Sequence, residues 1–370
     1  VQPFLSSSTS TKALNPDPAF WAGRSVLVTG HTGFKGAWLS LWLERLGARV
    51  SGLALAPDTS PALSDLVLAG QIDGRIGDIR DAGIVRACLA ETRPEIVIHM
   101  AAQALVRASY RDPLATYATN VMGTAHVLDA VRATPSVRAV VVVTSDKAYE
   151  NREWPYGYRE TEALGGHDPY SSSKACAELV TSAYRASFLA TRDCRVATAR
   201  AGNVIGGGDW SEDRLVPDIV RAFARGDSVE IRAPHATRPW QHVLEPLSGY
   251  LRLAEALCGT DGADFAQAWN FGPTDEDCRP VAHIVATLAE SWGGQAAWHL
   301  SQETHPHEAT FLKVDASKAR SRLSWDRRLR LDEALAWTAA WHRSQVDGAS
   351  ALDLTLAQIA AYATRGREHP

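Results

Sequence analysis

Tyr170 and Lys174 stand four apart in Y-S-S-S-K. On a helix that spacing puts a phenol and an ammonium on one face. The cation favours the phenolate and lowers the phenol toward a useful range for proton transfer. Taken alone, the pattern is common on helix surfaces. A second cluster, Ser145, Asp146 and Lys147, closes an apolar run in V-V-T-S-D-K-A-Y-E-N. A hydroxyl able to bond a substrate oxygen, an acid and an amine are the groups needed to move more than one proton. The bland alternative for this trio is a solvated turn with an ion pair.

A third segment supplies a partner for these groups. V-T-G-H-T-G-F-K-G spaces Gly30, Gly33 and Gly36 three apart after an apolar run and before a helical one. Glycines there permit a tight turn and close approach of backbone to a pyrophosphate. The helix start beyond offers free N–H groups and a positive dipole end. With a dinucleotide in the loop, Lys174 is positioned to bond the nicotinamide ribose. The acid expected about 20 residues on for an NAD ribose is represented only by Asp58, after a proline. No Lys or Arg falls between Arg49 and Arg75 to clamp a 2′-phosphate, which favours NAD over NADP. His31 or Lys35 in the loop could alter this preference. Asp78 in G-D-I-R-D is placed to meet the adenine, or to cap the following helix, or both.

These groups need a frame. Strand-like runs at Ser25–Thr29, Arg49–Leu55, Glu95–Met100, Ala139–Thr144 and Arg195–Ala201, with a short one at Arg75–Asp78, alternate with helical stretches. Those stretches include Lys35–Leu46, Pro113–Ala133 and Tyr170–Ala190. Continuous apolar strands separated by helices predict a parallel sheet with both faces covered. The fold class is therefore α/β, a doubly wound parallel Rossmann sheet, and the smaller substrate lobe is mixed α/β. The Rossmann domain is expected over 21–202, with 240–257 able to return to it. The substrate lobe is expected over 203–345, with a mobile leader at 1–20 and a tail at 346–370. Ser145–Lys147 would emerge at the carboxyl edge of the sheet, where open α/β sheets bind ligands.

Composition limits the remaining classes. A net charge of −4 leaves no electrostatic footprint for nucleic acid, and no polybasic cluster points to a membrane surface. No apolar run approaches the roughly 18 residues of a membrane span. The N-terminal stretch, rich in Ser, Thr and Pro, lacks the charged start and apolar stretch of a signal peptide. Five cysteines with no C-x-x-C pair argue against a disulfide framework or a metal knuckle, and fit buried thiols in the cytoplasm.

On these residues, the chain resembles the extended short-chain dehydrogenase/reductases that act on nucleotide sugars. Within them it looks most like the subfamily of 4,6-dehydratases acting on CDP-glucose. The resemblance runs from about Trp21 to about Trp341. It is carried by G-H-T-G-F-K-G-A-W, A-A-Q-A-L-V-R-A-S-Y, T-N-V-M-G-T, T-S-D-K-A-Y-E-N, D-P-Y-S-S-S-K, R-A-G-N-V-I-G-G-G-D-W, R-P-W-Q-H-V and H-E-A-T-F-L-K-V-D-A-S-K-A. It implies NAD held by Gly30, His31, Thr32, Gly33, Phe34, Lys35 and Gly36. Asp78, Ile79, Ala101, Ala102, Gln103, Asn120, Thr144, Tyr170 and Lys174 would complete that site.

The resemblance also implies roles. Tyr170 takes the O4 proton of the sugar, Ser145 bonds a sugar hydroxyl, and Asp146 protonates the leaving C6 hydroxyl. Lys147 occupies the position of the C5 base, where many related dehydratases carry Glu. A lysine must be neutral to act as a base, and moving it from about 10.4 to near 7 takes about 4–5 kcal/mol. Lys147 is thus either a base with a depressed pKa or a cation that holds the enolate. Asn203, Leu215, Val216, Arg232, Arg238 and His307 are the expected nucleotide-sugar contacts, and Glu308 matches a family segment. A homodimer through two helices is implied as well. The rival readings are a nucleotide-sugar 4-epimerase, which needs no Asp146–Lys147 pair, and a dinucleotide-binding scaffold without turnover.

Overall fold

The structure, a computed structural model, describes residues 15–231, 233–294, 296–301 and 311–365. Arg232, His307 and Glu308 lie outside the described residues.

The apolar runs become strands because each can bury both faces, except for the third strand, Asp73–Ile76, which is polar and largely exposed at the edge of the sheet. These are β1 (Ser25–Thr29), β2 (Arg49–Ala54), β3 (Asp73–Ile76), β4 (Ile96–His99), β5 (Ala139–Val143) and β6 (Arg195–Ala201). With an outer strand β11 (Ala268–Phe271) they form one sheet in the order β11-β6-β5-β4-β1-β2-β3, and every neighbouring pair is parallel. The order reverses between β1 and β4. That switch point opens a crevice at the carboxyl ends of the two strands.

Alternation along β1 shows the two faces. Val26 and Val28 point into a core with Trp38, Leu39 and Trp42 of α2 (Phe34–Arg45), while Leu27 faces the opposite layer. That layer holds α4 (Ala82–Thr92), α7 (Gly123–Ala133) and α8 (Pro169–Tyr184). Burying a Leu- or Val-sized side chain is worth about 1.5–3 kcal/mol, so the two layers fix the strand order and the loops above it.

The helix expected over Pro113–Ala133 is interrupted. A short helix, Pro113–Tyr117, passes through a π-helical turn, Ala118–Met122, before α7 begins. The wider turn swings Asn120 inward, which a regular helix would not do. The helix from Pro169 likewise relaxes into a π-helical turn at Arg185–Leu189.

Beyond Asn203 the chain builds a second apolar cluster. Helix α9 (Leu215–Arg225) places Val216, Ile219, Val220 and Phe223 on one face, at the spacing of a helix stripe. It ends on Gly226 with φ +74°, the left-handed cap that glycine favours. That face meets Ile284 and Leu288 of α11 (Val281–Trp292) and Leu331 and Leu335 of α13 (Leu331–Val346). Short strand pairs complete a mixed α/β layer: Val229–Ile231 with Trp298–Leu300, and Thr237–Pro239 with Cys278–Pro280.

Two elements of this stretch lie against the first layer. Helix α10 (Leu244–Cys258) packs on β5 and β6, and β11 (Ala268–Phe271) pairs with β6 as the outer strand of the main sheet. The last described helix, α14 (Ala351–Thr364), is docked as well. Its Tyr362 is fully buried, edge-on to Trp42 of α2.

Candidate active site

The loop after β1 and the loop after β4 meet at the switch point. Gly30 has φ +79°, and a Cβ there would stand 2.7 Å from the Ala101 backbone nitrogen. A Cβ on Gly36 would fall 2.0 Å from the Gly30 carbonyl oxygen. No side chain can replace hydrogen at these two positions without moving backbone. Gly33 differs, with φ −74° and its nearest neighbour at 3.5 Å. Gly33 precedes α2 without a side-chain cap, so the first N–H groups of that helix remain available to an anion. A close-packed, exposed turn leading into an uncapped helix fits a dinucleotide pyrophosphate.

The other loop side chains are held locally. Burial pushes the His31 imidazole below its usual pKa. Its ring covers β2 and β3, where a Cβ on Gly52 would lie 2.4 Å from it and one on Gly74 3.0 Å. Thr32 Oγ1 donates to the Leu55 carbonyl at 2.9 Å. Phe34 points toward Gly206. Lys35 reaches past the loop and donates to the Tyr250 hydroxyl of α10 at 3.1 Å. Burial, then repulsion from Lys174 and Arg214, brings its pKa down to about 7, with Asp146 opposing.

Asp78 bonds the Arg80 side chain and backbone N–H, both at 2.8 Å, and Arg80 holds its pKa below the usual carboxylate value. It does not cap the following helix. Asp81 does so, accepting from Gly83 and Ile84 N–H, because it lies directly before the first helical residue. Ile79 is buried against Gly123. After β4, the chain of Ala101, Ala102 and Gln103 is tied to Asn120. The Asn120 Oδ1 accepts from the Gln103 N–H at 2.8 Å, and its Nδ2 donates to the Gln103 carbonyl and to Ser173 Oγ. The Gln103 amide is itself bonded to Thr116 and to the Leu105 N–H.

Strand β5 delivers Thr144 and then a 3₁₀ turn, Asp146–Ala148, capped by the Ser145 hydroxyl. Helix α8 begins with Asp168 as its cap and brings Tyr170 and Lys174 opposite that turn. Ser145 Oγ donates to Asp146 Oδ1 at 3.0 Å, and it lies near enough to the Tyr170 phenol to pull its pKa down. Asp146 is 2 % exposed. Its Oδ2 has no hydrogen-bond partner among the described residues. Burial raises the Asp146 pKa, while Lys147, Ser145 and Arg238 pull it down. A carboxyl whose pKa is raised by burial suits a general acid.

Lys174 is buried and donates to the Val143 carbonyl at 3.4 Å. Burial lowers its pKa to about 8, and Glu178 opposes the fall. The expected lowering of Tyr170 is reversed: burial raises its pKa, against smaller effects of Ser145 and Arg214. Asp146 and Asp168 add to the rise, and Lys174, whose ammonium donates to the Val143 carbonyl, is not among the charges that lower it. His99, below the site, is pushed down to about 3 by burial and stays neutral between Thr29 and Thr124.

The substrate candidates divide. Arg238, on the strand Thr237–Pro239, comes close enough for its charge to lower the Asp146 pKa, so it lies beside the Asp146 turn. Leu215 is half-buried at the start of α9. Val216 is buried in the apolar cluster of the second layer, so it contributes packing. Asn203 accepts from the Gln241 N–H through its carbonyl. Among the described residues no group of three metal-ligating side chains occurs, and no described helix is long and apolar enough to cross a membrane.

Sequence reasoning missed Tyr250, Arg214 and a buried set made of Glu178, Arg200 and Tyr149. The one signal for the set was Glu178 itself, four residues beyond Lys174 on the same helix face.

Residues 27–338 match the family model described as GDP-mannose 4,6 dehydratase. The chain is 52% identical over 352 residues to a CDP-glucose 4,6-dehydratase of Salmonella typhimurium, covering 94% of this chain and 98% of the relative. It is 27% identical to a UDP-glucose 4-epimerase of Erwinia amylovora, over 88% and 100% of the two chains. Among solved structures, MoeE5 in complex with UDP-glucose and NAD superposes with a TM-score of 0.72 at 25% identity. That match covers 87% of this chain and 99% of the other.

Proposed function

Since this chain belongs to the GDP-mannose 4,6 dehydratase family, we propose that it converts CDP-glucose to CDP-4-keto-6-deoxyglucose and water, using NAD. The observation that carries this reading is the buried acid Asp146 beside Lys147, on a turn facing Tyr170. An epimerase needs no such pair.

Bound NAD supplies the redox chemistry, accepting hydride from sugar C4 and returning it at C6. The backbone of the Gly30–Gly36 loop would hold its pyrophosphate, Lys174 the nicotinamide ribose, and Asp78 the adenine end. Tyr170 takes the proton from the C4 hydroxyl, and Ser145 bonds that oxygen. The resulting C4 ketone acidifies the C5 proton. Asp146 gives its proton to the C6 hydroxyl, which leaves as water. Lys147 either takes the C5 proton and returns it there as hydride reaches C6, or stabilises the enolate as a cation while solvent water takes and returns that proton. Asn203, Leu215, Arg232, Arg238 and His307 are the proposed nucleotide-sugar contacts.

The reading extends to a homodimer in the cytoplasm. Tyr110, Leu114, Met122 and Leu179, carried by the elements around α7 and α8, leave large apolar side chains exposed, and burying such a patch favours association. Absence of an acid at the end of β2 goes with loose NAD binding, so the protein should lose NAD during isolation.

The test is direct. Mixing the protein with NAD and CDP-glucose should yield a 4-keto product lighter by one water. An isomer of unchanged mass would instead establish an epimerase. Parallel reactions with dTDP-, GDP- and UDP-glucose decide the nucleobase, and CDP-glucose should turn over fastest.

A further inference from the structure

A buried ion pair lies directly behind the catalytic turn. Glu178, one turn beyond Lys174 on α8, and Arg200 on β6 are 4 % and 3 % exposed. The Glu178 carboxylate accepts from Arg200 Nε and Nη2 at 2.8 and 2.9 Å, from Thr144 Oγ1 at 2.5 Å and from Thr198 Oγ1 at 2.6 Å. Arg200 Nη1 donates to the Tyr149 hydroxyl at 2.7 Å, and that hydroxyl donates to Asn270 Oδ1 of β11 at 2.8 Å. The pair therefore grips both ends of one segment. Thr144 precedes Ser145, Asp146 and Lys147, and hangs on Glu178. Tyr149 follows them, and hangs on Arg200.

Stability alone gives little reason for this arrangement. Taking two charges out of water costs more than their attraction returns unless every lone pair and proton finds a partner, and an apolar pair of the same volume serves a core as well. What an apolar pair cannot do is fix two ends of a turn at hydrogen-bond precision against the neighbouring helix. It also cannot place a negative charge beneath a buried lysine.

We propose that Glu178, Arg200 and Tyr149 are positioning residues that clamp the Ser145–Lys147 turn onto the Tyr170–Lys174 helix. The proposal rests on the reading of those two segments as the reacting groups. Asp146 and Lys147 act on C6 and C5, while Tyr170 and Lys174 act at C4. A shift of the turn relative to the helix therefore separates the elimination step from the oxidation step. The second effect is electrostatic. Lys174 faces Tyr170 and Glu178 on its own helix, the neutral His99 of β4 and Lys35 of α2, with Arg200 of β6 beyond Glu178. Glu178 is the anion that opposes burial at Lys174.

The test uses the full chain with added NAD and CDP-glucose. In Tyr149→Phe the ion pair stays and only its link to the turn is cut. Its kcat should fall on the order of 10–100-fold with KM unchanged, the scale of a small misplacement of reacting groups. Single-turnover mixing should show water loss slowed more than C4 oxidation. In Glu178→Gln the alkaline limb of kcat/KM should move down by about 1 pH unit as Lys174 loses its anion. Competitive acetylation of Lys174 across pH, without NAD or sugar, should show the same downward shift, and Arg200→Lys should retain part of the activity. Should Glu178→Gln fail to fold, Thr144→Val cuts the other grip and should again lower kcat without KM, with Thr144→Ser restoring it.

Tyr149→Phe slowing both steps equally, or an unmoved Lys174 titration in folded Glu178→Gln, overturns the proposal. A lower melting temperature with neither change would make the set merely structural. Failure of the dehydratase reading would be seen separately, as wild-type protein that releases no water, and the acetylation midpoint would still report on Lys174.

Discussion

The crevice above the sheet has two sides built on different principles. On the side of β1, β2 and β3 the backbone forms the site. Gly30 and Gly36 are packed so tightly that one added carbon would meet main chain at 2.7 and 2.0 Å. On the side of β5, β6 and α8 side chains form it, with Asp146, Lys174, Glu178 and Arg200 all nearly removed from water. A cofactor phosphate carries its own charge and needs only N–H groups at a fixed distance. A reaction that moves several protons needs groups whose pKa values have been shifted, and burial beside chosen charges is the means. The first side should therefore fail through shape and the second through charge.

Four experiments press on that contrast, from the largest expected effect downward. Tyr170→Phe removes the proton acceptor and should lower kcat by about 10²–10⁴-fold while the sugar nucleotide still binds. Steady-state rates with a binding titration check it, and a variant keeping a tenth of the activity would assign the O4 proton elsewhere. Gly36→Ala should destabilise the fold by about 1–3 kcal/mol, as overpacking does, and abolish NAD binding. Gly33→Ala, with room for its carbon, should stay within about 0.5 kcal/mol of the parent. Urea melts and NAD titrations of the two variants show whether shape rules this side. Lys147→Gln should slow exchange of the C5 proton with solvent deuterium, and a normal exchange rate would leave Lys147 only the role of a cation.

The smallest effect is in pH. Lys174 has a pKa of about 8 and, in the proposed reading, holds the nicotinamide ribose as a charged donor. Activity should therefore fall as pH rises through that value. The Lys174 charge helps to lower Lys35 to about 7, so Lys35 is largely neutral where Lys174 titrates and Lys35→Met should leave this alkaline limb in place. A shifted limb would mean that Lys35 still carries its charge there.

Much of the frame was legible from local pattern. Val26–Val28, Ile96–Ile98 and Ala139–Val143 could only be strands buried on both faces, and the helical runs between them made the sheet parallel. Gly30 and Gly36 were readable because their constraint comes from the adjoining loop. Gly33 was read alike, yet its conformation is one that any residue adopts. The helix at Pro113–Ala133 was readable in extent, but its π-helical turn at Asn120 was not, since it depends on bonds to Gln103 and Ser173. Val216 shows a different limit: its place in a motif pointed to substrate, and its burial among apolar neighbours on α9 is something the motif did not show.

The sequence by itself determined which chemistry the chain carries. Tyr170, Lys174, Ser145, Asp146 and Lys147 are defined by side-chain type and by spacings of at most a few residues, and alternating strands and helices bring such segments to one sheet edge. Tertiary structure alone decided the electrical state of those groups. Glu178 lies 22 residues from Arg200, and Tyr149 lies 121 from Asn270, so no local pattern joins them. Burial and the placing of charges are properties of the assembled layers, and they determine that Tyr170 is raised, Lys174 lowered and the Asp146 turn held against its helix.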